Sequence, residues 1–120
     1  MMRNGIMPRQ GELVLIPVPF TDLSAQKRRP VIIISSTEYN RNSRDMLVVA
    51  VTSNLTRVPF SFTISNQEIV NGNLNKPSLV RVDKIYALDQ TLIIKMLGVV
   101  EQSVIDRIFI LIQEIILGMP

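Results

Sequence analysis

Three small polar groupings in this chain could do chemistry, and each stands at the end of an apolar, β-branched run. The first is Lys27-Arg28-Arg29-Pro30, which leads into Val31 to Ile34. Guanidinium groups bind phosphate oxygens through two hydrogen bonds and stay charged at any accessible pH. Pro30 biases Arg29 towards an extended backbone, so this arginine is held more firmly than one in a free tail. The second grouping, Thr52-Ser53, follows Met46 to Val51 and offers two hydroxyls and turn amides to a phosphoryl oxygen. The third is Arg81-Val82-Asp83, whose first and last residues are two apart and so share one face of a strand, setting a guanidinium beside a carboxylate. Taken singly, each also reads as ordinary surface: a solvated basic turn, a pair of turn formers and an exposed ion pair.

The residues that are absent narrow the chemistry. The chain has no histidine and no cysteine, which removes the commonest near-neutral acid-base group, thiolate metal sites and disulfides. It has no Gly-rich phosphate loop, no Gly-x-Ser-x-Gly elbow and no clustered acidic set for magnesium, so neither a metal nor a cofactor is expected. The net charge is +3, with eight Lys/Arg against four Asp/Glu in residues 1–60 and five against six in residues 61–120. A cationic N-terminal half suits a polyanionic partner. No stretch reaches the roughly 18 apolar residues of a membrane span, and nothing in the first residues reads as a signal peptide, so the expectation is a soluble, cytoplasmic protein.

The elements that must hold these groupings read mainly as strands. With 47% apolar residues in 120, the chain can bury one core, and residues 1–120 read as a single domain. Glu12 to Val18 is a first strand stopped by Pro17 and Pro19, and Phe20 to Lys27 is turn-like. Four branched residues from Val31 predict a strand buried on both faces, and Glu38 to Asp45 reads as a loop. Further strands are expected at Met46 to Val51, Phe60 to Ile64, Leu79 to Val82, Tyr86 to Leu88 and Ile93 to Val100, with Gly98 a bulge or close approach. Val104, Ile105, Ile108, Leu111, Ile112 and Ile115 recur at helical spacing, with Ser103 and Asp106 as a capping box and Gly118 as the stop. Phe109, Ile110 and Ile116 widen this helix's apolar surface, which fits either self-association, the favoured reading, or a helix sunk deep in its own core. The pattern predicts a mainly β fold, a small barrel or strongly bent sheet, with one C-terminal α-helix.

In the order and spacing of its motifs the chain resembles the MazF/PemK (Kid) family of toxin endoribonucleases from toxin-antitoxin modules. The resemblance rests on Gly11-Glu12-Leu13-Val14, on Arg29-Pro30 before Val31 to Ser35, on Val51-Thr52-Ser53 and on the Arg-x-Asp of Arg81-Val82-Asp83. It implies an SH3-like β-barrel of the MazF/PemK/CcdB type, usually a homodimer, that cuts single-stranded RNA at short sequences without a metal. It also implies an antitoxin partner that covers the RNA groove. Position by position, it places catalytic roles on Arg29, Thr52, Arg81 and Asp83. The loop Leu23-Ser24-Ala25-Gln26-Lys27 departs from the family's Gly-rich segment, so no base contacts carry over and the cleavage sequence stays open.

For such a substrate the nucleophile is the RNA's own 2′-hydroxyl, and the products are a 2′,3′-cyclic phosphate and a free 5′-hydroxyl. Asp83 is the candidate base, because an arginine with a pKa above about 12 is a poor one. Arg29 and Arg81 would stabilise the phosphorane, Thr52 with Ser53 would orient the phosphate, and Lys27 and Arg28 would contact the RNA backbone. Two other readings remain: a CcdB-like toxin that binds DNA gyrase through its C-terminal residues, and a plain nucleic-acid-binding barrel. Against the first, Leu117-Gly118-Met119-Pro120 lacks that group's tryptophan; against the second, only six aromatic residues are available for stacking.

Overall fold

Runs of branched apolar residues, buried on both sides, build the centre of the molecule. The computed structural model describes residues 7–17 and 27–118. Six strands, β1 (Glu12–Pro17), β2 (Arg28–Ile33), β3 (Asp45–Thr52), β4 (Ser61–Ile64), β5 (Ser78–Asp89) and β6 (Lys95–Val99), precede a helix, α2 (Gln102–Leu117). A five-residue helix, α1 (Thr37–Arg41), lies between β2 and β3. The strands form one antiparallel sheet in the order β4-β5-β3-β2-β1-β6. This is the mainly β architecture with a terminal helix that the sequence pattern predicts, in the form of a curled half-barrel.

Alternation along the central strands splits the interior into two cores. Ile32, Ile34, Val49 and Val51 face one cluster, which Val104, Ile105 and Ile108 of α2 complete. Val31, Ile33, Met46 and Val48 face a second cluster on the other side of the sheet, with Val14, Ile16, Leu88 and Ile93. Each fully buried branched side chain contributes about 2 kcal/mol, so both faces hold the sheet. The second face carries the candidate site.

Closure of the curl depends on two glycines. The segment after β4 hydrogen-bonds to β6, with Val70 N donating to Val99 O at 2.6 Å and Asn73 N to Leu97 O at 3.0 Å. Gly98 is a close approach, as its sequence position suggested: a Cβ there would lie 2.7 Å from Ile69 Cγ2 and 2.9 Å from Asn71 O. Gly72 is tighter, with φ +129° and a hypothetical Cβ overlapping the Leu97 carbonyl oxygen and Gly98 Cα. Gly72→Ala combines forbidden backbone with backbone overlap and is expected to cost about 3 kcal/mol of stability. Urea denaturation measures this, with the exposed neighbour Asn71→Ala expected to stay within about 0.5 kcal/mol of the parent; equal midpoints for the two variants would refute the closure argument.

Several expectations need correction. Residues 38–45 are not all loop: Ser36 caps α1 by accepting from Tyr39 N at 3.1 Å, and five residues are too few to leave a periodic signature. Leu79 to Val82 and Tyr86 to Leu88 belong to one strand, β5, which carries extra residues part-way. The Ser103–Asp106 capping box does not form. Glu101 is the N-cap, two residues earlier than expected, and makes no side-chain cap bond; its own N–H donates to Glu68 O at 2.8 Å. A capping box does form at Ser65 with Glu68, on a 3-10 turn. Gly118 does end α2 in the left-handed conformation, φ +69°. Most of the turn expected at Phe20 to Lys27, and Val18 of the first strand, lie outside the described residues.

Candidate active site

The basic grouping is not a turn: from Arg28 on it is the start of a strand. Arg28, Arg29 and Pro30 pair with Pro17, Ile16 and Leu15 of β1. The ladder from β2 to β3 begins only at Val31↔Ala50, so Pro30's missing donor falls at the end of that ladder and is tolerated. Continuing the same register carries Arg29 opposite Thr52, and the side chains meet: Arg29 Nη1 donates to Thr52 Oγ1 at 3.5 Å. That bond is long and exposed, leaving the guanidinium available to a ligand. Thr52 Oγ1 also accepts from Asn54 N at 3.2 Å, so both of its lone pairs are engaged and its hydroxyl hydrogen is left to donate.

Arg81 arrives from the other side of β3, paired with Ala50 and, through β4, with Ser61. Its Nε and Nη2 donate to Asp83 Oδ1 and Oδ2 at 2.9 and 2.8 Å, a two-pronged fork between residues two apart, as the spacing predicts. The hydrogen bonds from Arg81 hold the Asp83 carboxyl below its ordinary range, and the same bonds raise Arg81. Asp83 is therefore ionised near neutrality. Nη1 and one Nη2 hydrogen of Arg81 remain for a phosphate.

Arg29, Thr52 and Arg81 line one cleft of about 380 Å³, with Pro30, Val31, Ala50, Leu79 and Leu88 among its apolar walls. Lys84, Tyr86, Asn54 and Thr56 line it too, and among the described residues no carboxylate does. Asp83 stands behind Arg81 rather than in the lining. Lys27, Arg28 and Ser53 are exposed and outside it; alternation turns Arg28 to the opposite side of β2 from Arg29. Among the described residues no three or more His, Cys, Asp or Glu side chains converge. An anionic ligand fits such a site, since guanidinium, hydroxyl and ammonium donors face it without an opposing acid among the described residues.

Sequence reasoning did not single out Lys84 and Tyr86. On a regular strand Lys84 would face away from Arg81, three residues earlier, and only the extra residues of β5 restore it.

Residues 9–116 match the family described as PemK-like, MazF-like toxin of type II toxin-antitoxin system. No curated protein matches the chain in sequence. Among solved structures, the fold resembles MazF from Deinococcus radiodurans, with 23% identity, a TM-score of 0.71 and coverage of 94% of this chain and 98% of that one. It also resembles a MazE-MazF structure of the same organism, at 26% identity, TM-score 0.71 and coverage of 95% and 99%. An endoribonuclease in complex with its cognate antitoxin, from a mycobacterial species, aligns at 19% identity and TM-score 0.71, covering 95% and 96%.

Proposed function

Since the chain belongs to the PemK-like, MazF-like family of toxins of type II toxin-antitoxin systems, we propose that it is a metal-independent, sequence-specific endoribonuclease that cuts single-stranded RNA, messenger RNA included. The observation that carries the reading is the convergence of Arg29, Thr52 and Arg81 in one cleft, from three neighbouring strands. A phosphodiester in that cleft meets two guanidinium groups and a hydroxyl donor, which is what the dianionic phosphorane of an internal attack requires.

The 2′-hydroxyl of the substrate attacks the adjacent phosphorus, forming the O2′–P bond while the P–O5′ bond breaks. Asp83, behind Arg81 in the resting cleft, takes the 2′-hydroxyl proton as the bound phosphodiester draws Arg81 forward and frees one carboxylate oxygen from the fork. In the resting fork its basicity is depressed by Arg81, and it rises as Arg81 commits its charge to the phosphorane. Arg81 gives a proton to the departing 5′-oxygen, and the fork returns the proton from Asp83 to Arg81, so the site ends as it began. Thr52, with Ser53 nearby, orients the phosphate by hydrogen bonds, and Lys27 and Arg28 meet the RNA backbone outside the cleft.

The protein is expected to act in the cytoplasm under control of a cognate antitoxin, a reading supported by the mycobacterial endoribonuclease that forms a complex with its own. A homodimer is part of the proposal, supported by Ile110, Ile116 and Leu117 of α2, which are 54%, 70% and 63% exposed. Among the described residues no helix is long and apolar enough to cross a membrane.

The test is incubation of purified protein with mixed RNA in excess chelator, followed by mapping of the new ends. The expected products carry 2′,3′-cyclic phosphates and 5′-hydroxyls at a recurring short sequence. Intact RNA, or ends bearing 5′-phosphates, would exclude this reaction.

A further inference from the structure

We propose that Lys84 is a phosphate-binding residue of the cleft, holding the RNA backbone beyond the phosphodiester that Arg29 and Arg81 engage. The proposal rests on the ribonuclease reading for the identity of its ligand, and on the irregularity of β5 for its geometry.

On β3, Val49 and Ala50 are consecutive, but their partners on β5 are Ile85 and Arg81. Val82, Asp83 and Lys84 are therefore extra to the ladder. Arg81 pairs with Ala50 and Tyr86 with Val48, residues on the same side of β3, so Arg81 and Tyr86 face the cleft although they are an odd number of residues apart. The bulge absorbs the mismatch. Val82 is fully buried in the core beneath α2, Asp83 turns to the Arg81 guanidinium, and Lys84 is delivered into the cleft beside Tyr86. Such irregularities re-aim a side chain, and here the re-aimed one is a cation.

Its surroundings suit an anion. The nearest acid in the chain, Asp83, already accepts both prongs of the Arg81 fork, and among the described residues Arg81–Asp83 is the ion pair formed. Among the described residues no carboxylate lines the cleft. The cleft also has a direction. Thr52 with Leu79 forms one row across the strands, Ala50 with Arg81 the next, and Val48 with Tyr86 the one beyond. Arg29, Thr52 and Arg81 occupy the first two rows, and Lys84 stands towards the third. A chain of phosphodiesters laid along these rows places the scissile one between the arginines and its neighbour at Lys84. A compact, mobile ammonium suits that second role, because it supplies charge without demanding the two-pronged geometry of the reacting phosphate.

The experiment measures binding of an RNA whose cut site carries one 2′-deoxyribose, as a function of salt, alongside cleavage of the all-ribose RNA. Lys84→Ala is expected to weaken binding about tenfold at low salt and to shrink the slope of log K against log salt by about 0.7, one phosphate contact of a single strand. It should raise KM and leave kcat at saturation nearly unchanged. Lys84→Arg should keep affinity and slope, Lys84→Gln should behave like Lys84→Ala, and Lys95→Ala, an exposed lysine outside the cleft, should match the parent. Parental affinity and slope in Lys84→Ala would overturn the proposal, as would a fall in kcat with binding unchanged. A parent that binds the probe without cutting the ribose RNA would instead sink the nuclease reading while the Lys84 slope still decides this one; a parent that binds neither RNA ends both.

Discussion

An RNA with one 2′-deoxyribose at its cut site is expected to bind the protein nearly as well as the parent RNA and not to be cut. The prediction follows from what the cleft lacks. Among the described residues the hydroxyl-bearing side chains that line it are those of Thr52, Thr56 and Tyr86. Thr52 Oγ1 accepts from Asn54 N at 3.2 Å and, over a longer 3.5 Å, from Arg29, an arrangement that favours donation of its hydrogen towards phosphate over attack on it. Transition-state charge is well provided for by the two arginines, but charge stabilisation cannot accelerate a step whose attacking atom has been removed. A nuclease that activates water is indifferent to the same substitution. Comparison of single-turnover cleavage of the two RNAs decides between them, and a deoxy substrate cut at more than about a hundredth of the parent rate would rule out internal attack as the main path.

How much of this site could be read in advance depends on parity. Arg81 and Asp83 are two apart, so ordinary alternation places them together, and they form the fork. Val31 to Ile34 and Met46 to Val51 are apolar at every step, and a strand with such a run must be covered on both faces; the two cores do that. Arg29 and Thr52 could be suspected from residue type, but their meeting depends on the pairing of β2 with β3, a long-range register that no local pattern states. Two features were not legible. Pro30 reads as the end of a turn, although it sits inside a strand because only one of its neighbouring ladders has begun. Lys84 reads as a surface lysine on the wrong face, and its position depends on residues that β3 leaves unpaired. Local pattern reports period, whereas bulges change period by agreement between two strands.

Arg29→Ala is expected to lower kcat by about a hundredfold or more, with folding stability unchanged within about 0.5 kcal/mol. The two halves of that expectation come from the same observation. Arg29 is exposed, and its recorded side-chain bond, to Thr52 Oγ1, is 3.5 Å long, so the folded protein gains little from it. The pairing of β2 with β1 uses the backbone at this position, which alanine keeps. The phosphorane, by contrast, loses one of two guanidinium groups facing it, worth on the order of 3 kcal/mol in the transition state. Arg29→Lys separates charge from shape: an ammonium restores attraction for the RNA but not a planar pair of donors, so KM should recover more than kcat. Thr52→Ala should fall in the same direction and Thr52→Ser should recover, because the donated hydrogen is the shared element. The double variant Arg29→Ala with Thr52→Ala should lose less than the two single effects combined, since both side chains act on one phosphate and contact each other. Single-turnover rates together with urea midpoints test the set. Native cleavage by Arg29→Ala would remove the cleft's main claim to be the reacting site, and lost cleavage with a lowered midpoint would mean that Arg29 supports the sheet rather than the chemistry.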